Sequence, residues 1–388
     1  MRIARIVLVI VAAAAVALFL ATVPTFRHFF DLGVYRGAVR YWLFDGGDLY
    51  RYRYQGTEYG FTYPPFAALT MSPLAITSWP VAVAASLVLN SAAVILLLRW
   101  YFVPILRRYR APVWTGCALM FLGFLLFEPS RDTFSYGQVN LLLLVLVCGD
   151  LRNKRFAGVG IGLAAAIKLT PAVFIGYLIL ARRYREAATA TVTAAGATVL
   201  ALLAAPDASR EFWTDAVWDT SRVGRLYHVS NQSLRGVLAR LDAPATWWLV
   251  AVVLVLAYWS WWVRTRRPDA ATGFAVTGVI AVLISPISWV HHLVWLIPGL
   301  FRLIDRALSA PPRERRWRLA VLFAGFVVMS SSIVWLWWAH PHGWAAFPGS
   351  NTYVWLSIAV LIALTAKPAV ISREADGRSA FEEYARER

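Results

Sequence analysis

An all-α, polytopic integral membrane protein is the fold class this sequence predicts, and three observations predict it. The 388-residue chain is 59% hydrophobic and only 15% charged, too little polar surface to keep a soluble protein dispersed. Apolar runs recur along it, several of them long enough to cross about 30 Å of hydrocarbon. Short basic blocks separate the runs: Arg107, Arg108 and Arg110; Arg152, Lys154 and Arg155; Arg182, Arg183 and Arg185; Arg264, Arg266 and Arg267; Arg313, Arg315, Arg316 and Arg318. They recur at alternate connections, which is the positive-inside pattern. The net charge of +17 then reflects topology and contact with anionic lipid. A nucleic-acid role is disfavoured, because no Arg-rich helix or aromatic stacking platform stands outside the spans.

Taken in order, the first span covers 3–23. Its apolar stretch from Ile6 to Val23 exceeds a usual signal-peptide core, so it reads as an uncleaved helix. Further spans are expected at 79–101, 113–127, 138–150, 187–206, 246–264, 272–285, 289–304, 318–339 and 351–368. The stretch 157–181 lies between two basic blocks of the same side and must cross an even number of times or not at all. Gly158, Gly160 and Gly162, then Lys168 and Pro171, predict two short helices there. Counted so, about 12 helices cross the plasma membrane and both termini are cytoplasmic. Most of the 38 Lys and Arg then fall inside, while the 21 acidic residues divide nearly evenly, a bias only in the basic residues as the rule requires. The exoplasmic side receives the long connections, about 24–78 and 207–245, and is the expected working face. Residues 1–371 read as one transmembrane domain and 372–388 as a charged cytoplasmic tail. Cys117 and Cys148 lie within apolar spans and read as buried, inert thiols.

Polar residues gather at the outer face: Asp31, Asp45, Asp48, Glu58, Glu128, Arg131, Asp132, Gln138, Asn140, Lys168, His228, Asn231, Gln232, Arg235, His291 and His292. Asp31 opens the first long connection, with Tyr35 and Arg36 about a turn later. It suits a general base or charge stabiliser, and equally the N-cap of a helix over 32–43. Tyr63-Pro64-Pro65-Phe66 reads as a rigid pocket entrance or as an aromatic belt with a Pro-started helix. Lys168, in an otherwise apolar stretch, is a natural phosphate ligand; snorkelling to the interface is the alternative. Adjacent histidines such as His291 and His292 point about 100° apart on a helix, so one faces a pocket more readily than both chelate a metal. Asn231-Gln232-Ser233-Leu234-Arg235 offers donors for sugar hydroxyls or a phosphodiester, compatibly with a capped interfacial helix over 231–241. No metal-ligand spacing, phosphate-binding glycine loop or nucleophile elbow is present, so no cofactor is expected.

In sequence, Asp31-Leu32-Gly33-Val34-Tyr35, Gly47-Asp48-Leu49-Tyr50, Phe61-Thr62-Tyr63-Pro64-Pro65-Phe66, Gly137-Gln138, Lys168-Leu169-Thr170-Pro171, Asn231-Gln232-Ser233 and Ser285-Pro286-Ile287-Ser288-Trp289 with His291-His292 resemble glycosyltransferase family 87. These are polyprenol-phosphate-mannose-dependent α-(1→2)-mannosyltransferases of mycobacteria and relatives. The resemblance implies the membrane-embedded C-type glycosyltransferase fold, a catalytic domain opening on the exoplasmic side, and Asp31 as the catalytic acid residue of the first outer loop. It implies a polyprenyl-phosphate-mannose donor, a glycolipid acceptor (phosphatidylinositol mannoside or lipomannan) and α-(1→2) transfer with inversion. Lys168, Arg235 and one of His291 and His292 are then expected at the phosphate. Tyr35, Arg36, Tyr63, Asn231, Gln232 and Trp289 are expected at the substrates, with Trp42 and Phe66 as further stacking candidates. A lipid-linked arabinose transferase and a lipid or glycolipid transporter are the rival readings; against the latter, the chain carries no inverted repeat of broken helices.

Overall fold

The computed structural model describes residues 2–366 apart from Pro24; the tail expected over 372–388 lies outside the described residues. Every regular element among them is helical. Four helices are long and apolar enough to cross a membrane: Arg2–Thr22, Trp79–Arg108, Tyr184–Ala204 and Ala245–Arg266. Two bent pairs, Val113–Leu126 with Glu128–Tyr136 and Gly343–Ser350 with Thr352–Thr365, raise the number to six if each is one span. The remaining apolar runs fold into shorter pieces, among them Asn140–Gly149, Thr170–Leu180 and Ala270–Ile284. At 1.5 Å per residue these pieces reach about 15–22 Å, short of about 30 Å of hydrocarbon.

The interruptions have identifiable causes. Pro104 has no N–H to return to the carbonyl one turn back, and the long Trp79–Arg108 helix passes through a π-helical turn at Leu98–Phe102 just before it. The 73° bend after Leu126 occurs at Phe127, whose backbone is extended, with a proline in the first turn that follows. Lys168 separates Val159–Ile167 from the helical turns beyond Thr170, its own backbone extended. The two short helices expected over 157–181 are therefore present, hinged at the lysine. Gly158 and Gly162 allow the first of them to lie against Tyr184–Ala204: a Cβ at these positions would fall 2.4 Å from the Glu186 carbonyl oxygen and 2.5 Å from that of Ala190.

The Arg2–Thr22 helix has only 6% of its apolar window buried, as expected for a helix whose apolar surface faces lipid rather than protein. By contrast, Ala270–Ile284 is buried over almost its whole length and forms the centre of the main core with Val290, Leu293 and Tyr353. The stretch expected as a long outer loop, 24–78, carries helices of its own over about half its length. Phe30–Phe44, Pro65–Met71 and Pro73–Ile76 build a second apolar cluster with Val34, Tyr50, Phe61 and Phe212.

Candidate active site

Asp31 lies in the first turn of Phe30–Phe44 rather than at its N-cap. The capping position is Phe29, which makes no side-chain cap. His28 and Phe29 both adopt left-handed backbone, each with φ of 52°, a conformation costly for side chains of this size. The kink is held by the end of the Glu128–Tyr136 helix: the Phe29 N–H donates to the Ser135 carbonyl at 2.8 Å, and the Arg27 N–H donates to the Ser135 hydroxyl at 2.6 Å.

That helix stops at Gly137, whose φ of 71° forms a left-handed C-cap. A Cβ there would also lie 2.6 Å from the Cβ of Leu32. Glycine thus lets the two segments touch and delivers the next residue to the acid. The Gln138 Nε2 donates to Asp31 Oδ2 at 2.5 Å. Gln138 Oε1 accepts from the Tyr63 hydroxyl at 3.1 Å and from Asn140 Nδ2 at 3.1 Å. The Tyr63 oxygen in turn pairs with the Tyr35 hydroxyl at 2.9 Å.

Lys168 fixes the direction of this network. An ammonium only donates, and Lys168 Nζ meets Asn140 Oδ1 at 2.9 Å. The Asn140 amide nitrogen must then face Gln138, and the Gln138 amide nitrogen must face Asp31. Nζ also lies 2.9 Å from His292 Nε2, so that nitrogen accepts. The proton of His292 is on Nδ1, and the ring hydrogen-bonds the Ile287 backbone on its other side. His292 therefore holds Lys168 in place. His291 is 4% exposed with no hydrogen-bond partner at Nε2 among the described residues.

These groups open onto one cavity of about 560 Å³. Asp31, Tyr35, Tyr63, Lys168, Trp289, His291 and His292 all line it. Burial pushes the Asp31 carboxyl from its ordinary 3.8 up to about 6, against the opposing pull of the Gln138 hydrogen bond and the Lys168 charge. The raised value suits proton abstraction near neutrality. Arg27, Tyr136, Arg222 and Trp335 also line it without having been singled out in the sequence, beside Gln138 and His228, which had been grouped with the outer-face polar residues. His228 stands edge-on to Trp289 at 5.8 Å and to Trp335 at 5.7 Å. Burial first, then the charges of Arg240, Arg27 and Arg225, bring its imidazole down to about 4, so it is neutral. Gln138 and Asn140 had shown a sequence signal as polar residues after a glycine; Trp335, deep in an apolar run, had none.

Other expected site residues fall elsewhere. Arg36 donates through Nε and Nη2 to the Thr77 carbonyl at 3.1 and 2.7 Å, tying Phe30–Phe44 to the end of the Pro73–Ile76 helix. Asn231 and Gln232 are fully buried and saturated. Asn231 accepts from the Ser288 N–H and donates to Leu226 and Pro286; Gln232 donates to Val229 and Ser350 and accepts from Val354. They join three chain segments and do not line this cavity; amides also serve to satisfy buried backbone. Arg235, at the start of Leu234–Arg240, does not line the cavity, and neither do Trp42 and Phe66. Asp48 pairs with Arg51 at the surface, 3.3 Å away. Among the described residues no three His, Cys, Asp or Glu side chains gather in a way suited to a metal ion.

The sequence profile of glycosyltransferase family 87 matches residues 61–286, which includes Tyr63, Gln138 and Lys168 but neither Asp31 nor His291 and His292. The chain is 32% identical over 369 residues to the polyprenol-phosphate-mannose-dependent alpha-(1-2)-phosphatidylinositol mannoside mannosyltransferase of Mycolicibacterium smegmatis, covering 86% of this chain and 83% of that protein. It is 33% identical over 362 residues to the protein of the same description from Mycobacterium tuberculosis, with the same coverage of 86% and 83%. A Mycobacterium tuberculosis protein described as the corresponding phosphatidylinositol pentamannoside mannosyltransferase is 33% identical over 336 residues, 81% of this chain and 74% of its own. No solved structure matches the chain.

Proposed function

Because the chain belongs to glycosyltransferase family 87, we propose that this mannosyltransferase moves mannose from polyprenyl-phosphate-mannose to a hydroxyl of a phosphatidylinositol mannoside or related mannolipid. The single observation that carries the assignment of its base is the Asp31 carboxylate, oriented by Gln138 at 2.5 Å on the wall of the cavity. Oδ2 is engaged by Gln138; among the described residues Oδ1 has no hydrogen-bond donor, leaving it for the acceptor hydroxyl.

The reaction is one displacement. The acceptor oxygen attacks the anomeric carbon as Asp31 removes its proton; the bond from that carbon to the phosphate oxygen breaks, and its electron pair leaves with the polyprenyl phosphate. A single displacement inverts the anomeric centre, giving an α linkage, here placed at the 2-hydroxyl, from a β-linked donor. Tyr63 and Lys168 keep the base oriented, and Trp289 offers an aromatic face to a sugar ring. We place the cavity on the exoplasmic face, with both termini cytoplasmic, because the basic blocks lie at the opposite ends of the apolar runs.

The test is transfer of radiolabel from polyprenyl-phosphate-mannose to mixed mannolipid acceptors in membranes, wild type beside Asp31→Asn at equal expression. Label moved by wild type and lost in the variant supports the proposal, and release of the product label by an α-(1→2)-mannosidase fixes the linkage. Transfer from a lipid-linked arabinose donor instead would replace the mannose assignment. Full activity in Asp31→Asn would remove the base.

A further inference from the structure

Three described cations line the cavity: Arg27, Lys168 and Arg222. Two are already engaged. Arg222 donates to the Tyr50 carbonyl and pairs with Asp215 at 3.4 Å. Lys168 is held between Asn140 and His292, each 2.9 Å away.

Arg27 is placed differently. Its guanidinium carbon lies 4.3 Å from the centre of the Trp335 ring and 5.7 Å from that of Tyr136. Its nearest anion is Asp132, with Oδ1 3.9 Å from Nε, beyond hydrogen-bond reach. Nε is buried with no partner among the described residues, and so is Oδ2 of Asp132, which is 3% exposed. A ring face attracts a guanidinium without taking up its N–H donors, and no side-chain hydrogen bond engages Nη1 or Nη2 among the described residues. The left-handed pair His28 and Phe29 turns the chain between Arg27 and Asp31 so that both reach the same cavity. Backbone strain of this kind is retained where the surrounding structure imposes it, as the Ser135 contacts do here.

We propose that Arg27 binds the phosphate of the lipid-linked sugar donor through its edge donors, with Trp335 and Asp132 as positioning residues. The proposal rests on the transferase reading above. It supplies what that reading lacks, a charge-assisted pair of donors for the non-bridging oxygens of the leaving group, whose negative charge grows as the anomeric bond breaks. The phosphodiester of a phosphatidylinositol acceptor shares this chemistry, so the experiment separates the two.

Full-length wild type, Arg27→Gln, Arg27→Lys and Asp132→Asn are purified in detergent and matched by melting temperature. Donor and acceptor are varied independently, and binding of polyprenyl phosphate, the lipid product, is measured directly. Expected is a fall of about 10- to 100-fold in kcat/KM for the donor in Arg27→Gln, weaker polyprenyl phosphate binding, and an unchanged acceptor KM. Arg27→Lys retains charge without the paired donors and falls in between; Asp132→Asn keeps Arg27 yet raises the donor KM. A rise confined to the acceptor KM, or polyprenyl phosphate binding equal in wild type and Arg27→Gln, would overturn the proposal. If the wild type transfers no mannose, the transferase reading fails separately, and the binding comparison still decides the role of Arg27.

Discussion

Gln138 donates to Asp31 at 2.5 Å, and the direction of that bond is imposed by Lys168, two hydrogen bonds away. Lys168 can only donate, so Asn140 presents its oxygen to the lysine and its nitrogen to Gln138. Asp31 is therefore oriented by a cation it does not touch. This relationship sets the expected behaviour of the site.

Replacing Gln138 by Leu removes the orienting donor and leaves Asp31 in place. We expect kcat to fall about 10- to 100-fold while KM for either substrate changes little, since misplacement of a catalytic group acts on the transition state. Steady-state kinetics with each substrate varied in turn checks it; an equal loss in KM would place Gln138 in binding instead.

Asp31 must be ionised to accept a proton. With its pKa raised to about 6, kcat/KM should fall about tenfold per pH unit below about 6. The groups facing it are Gln138, Lys168, Tyr35, Tyr59, Tyr63, Tyr136 and Asp132. Tyr35, Tyr59 and Tyr63 are all raised above their usual 10 and stay neutral through this window. In Gln138→Leu the acid limb should move to higher pH, because the lost hydrogen bond favoured the charged form. A limb that stays in place would sever the two residues.

The same raised pKa carries a stability cost of known sign. A carboxyl whose folded value lies above its unfolded one contributes stability at low pH that is lost as pH rises through about 6. Asp31→Asn should therefore abolish transfer and yet stabilise the purified protein at neutral pH, by about 1–2 kcal/mol given partial exposure of the side chain. Thermal melts at pH 7.5 and pH 3 test this: the gain should be present at the first and absent at the second, which lies below the unfolded value of 3.8.

Lys168 and Arg235 carry the same charge and differ in position. Lys168→Met releases Asn140 and His292 together and is expected to reduce kcat about 100-fold or more. Arg235→Gln, outside the cavity, should stay within about twofold of wild type. Parallel assays at matched expression decide it, and equal losses would mean the guanidinium reaches substrate by a route the cavity does not contain.

The membrane class, the basic-block asymmetry and several cavity residues were legible in the sequence. Asp31 and Lys168 stood out because a charge in apolar surroundings is expensive, and the glycines 158 and 162 stood out as a packing face. The span count was less legible. Hydropathy registers an apolar run whether it forms one long helix or a short one buried over almost its whole length, as Ala270–Ile284 is.

Asn231 and Gln232 show the limit from the other side. Their donors could serve a sugar or the backbone equally, and only packing shows that the backbone holds them. Composition and local pattern thus determined the solvent this chain is built for and which charges are anomalous within it, because transfer energies belong to single residues and short runs. Which charges meet was decided by the tertiary structure alone. Arg27 against Trp335 and Lys168 against His292 are contacts 308 and 124 residues apart, and their geometry follows from how kinks at Phe29, Gly137 and Lys168 bring distant segments to one cavity.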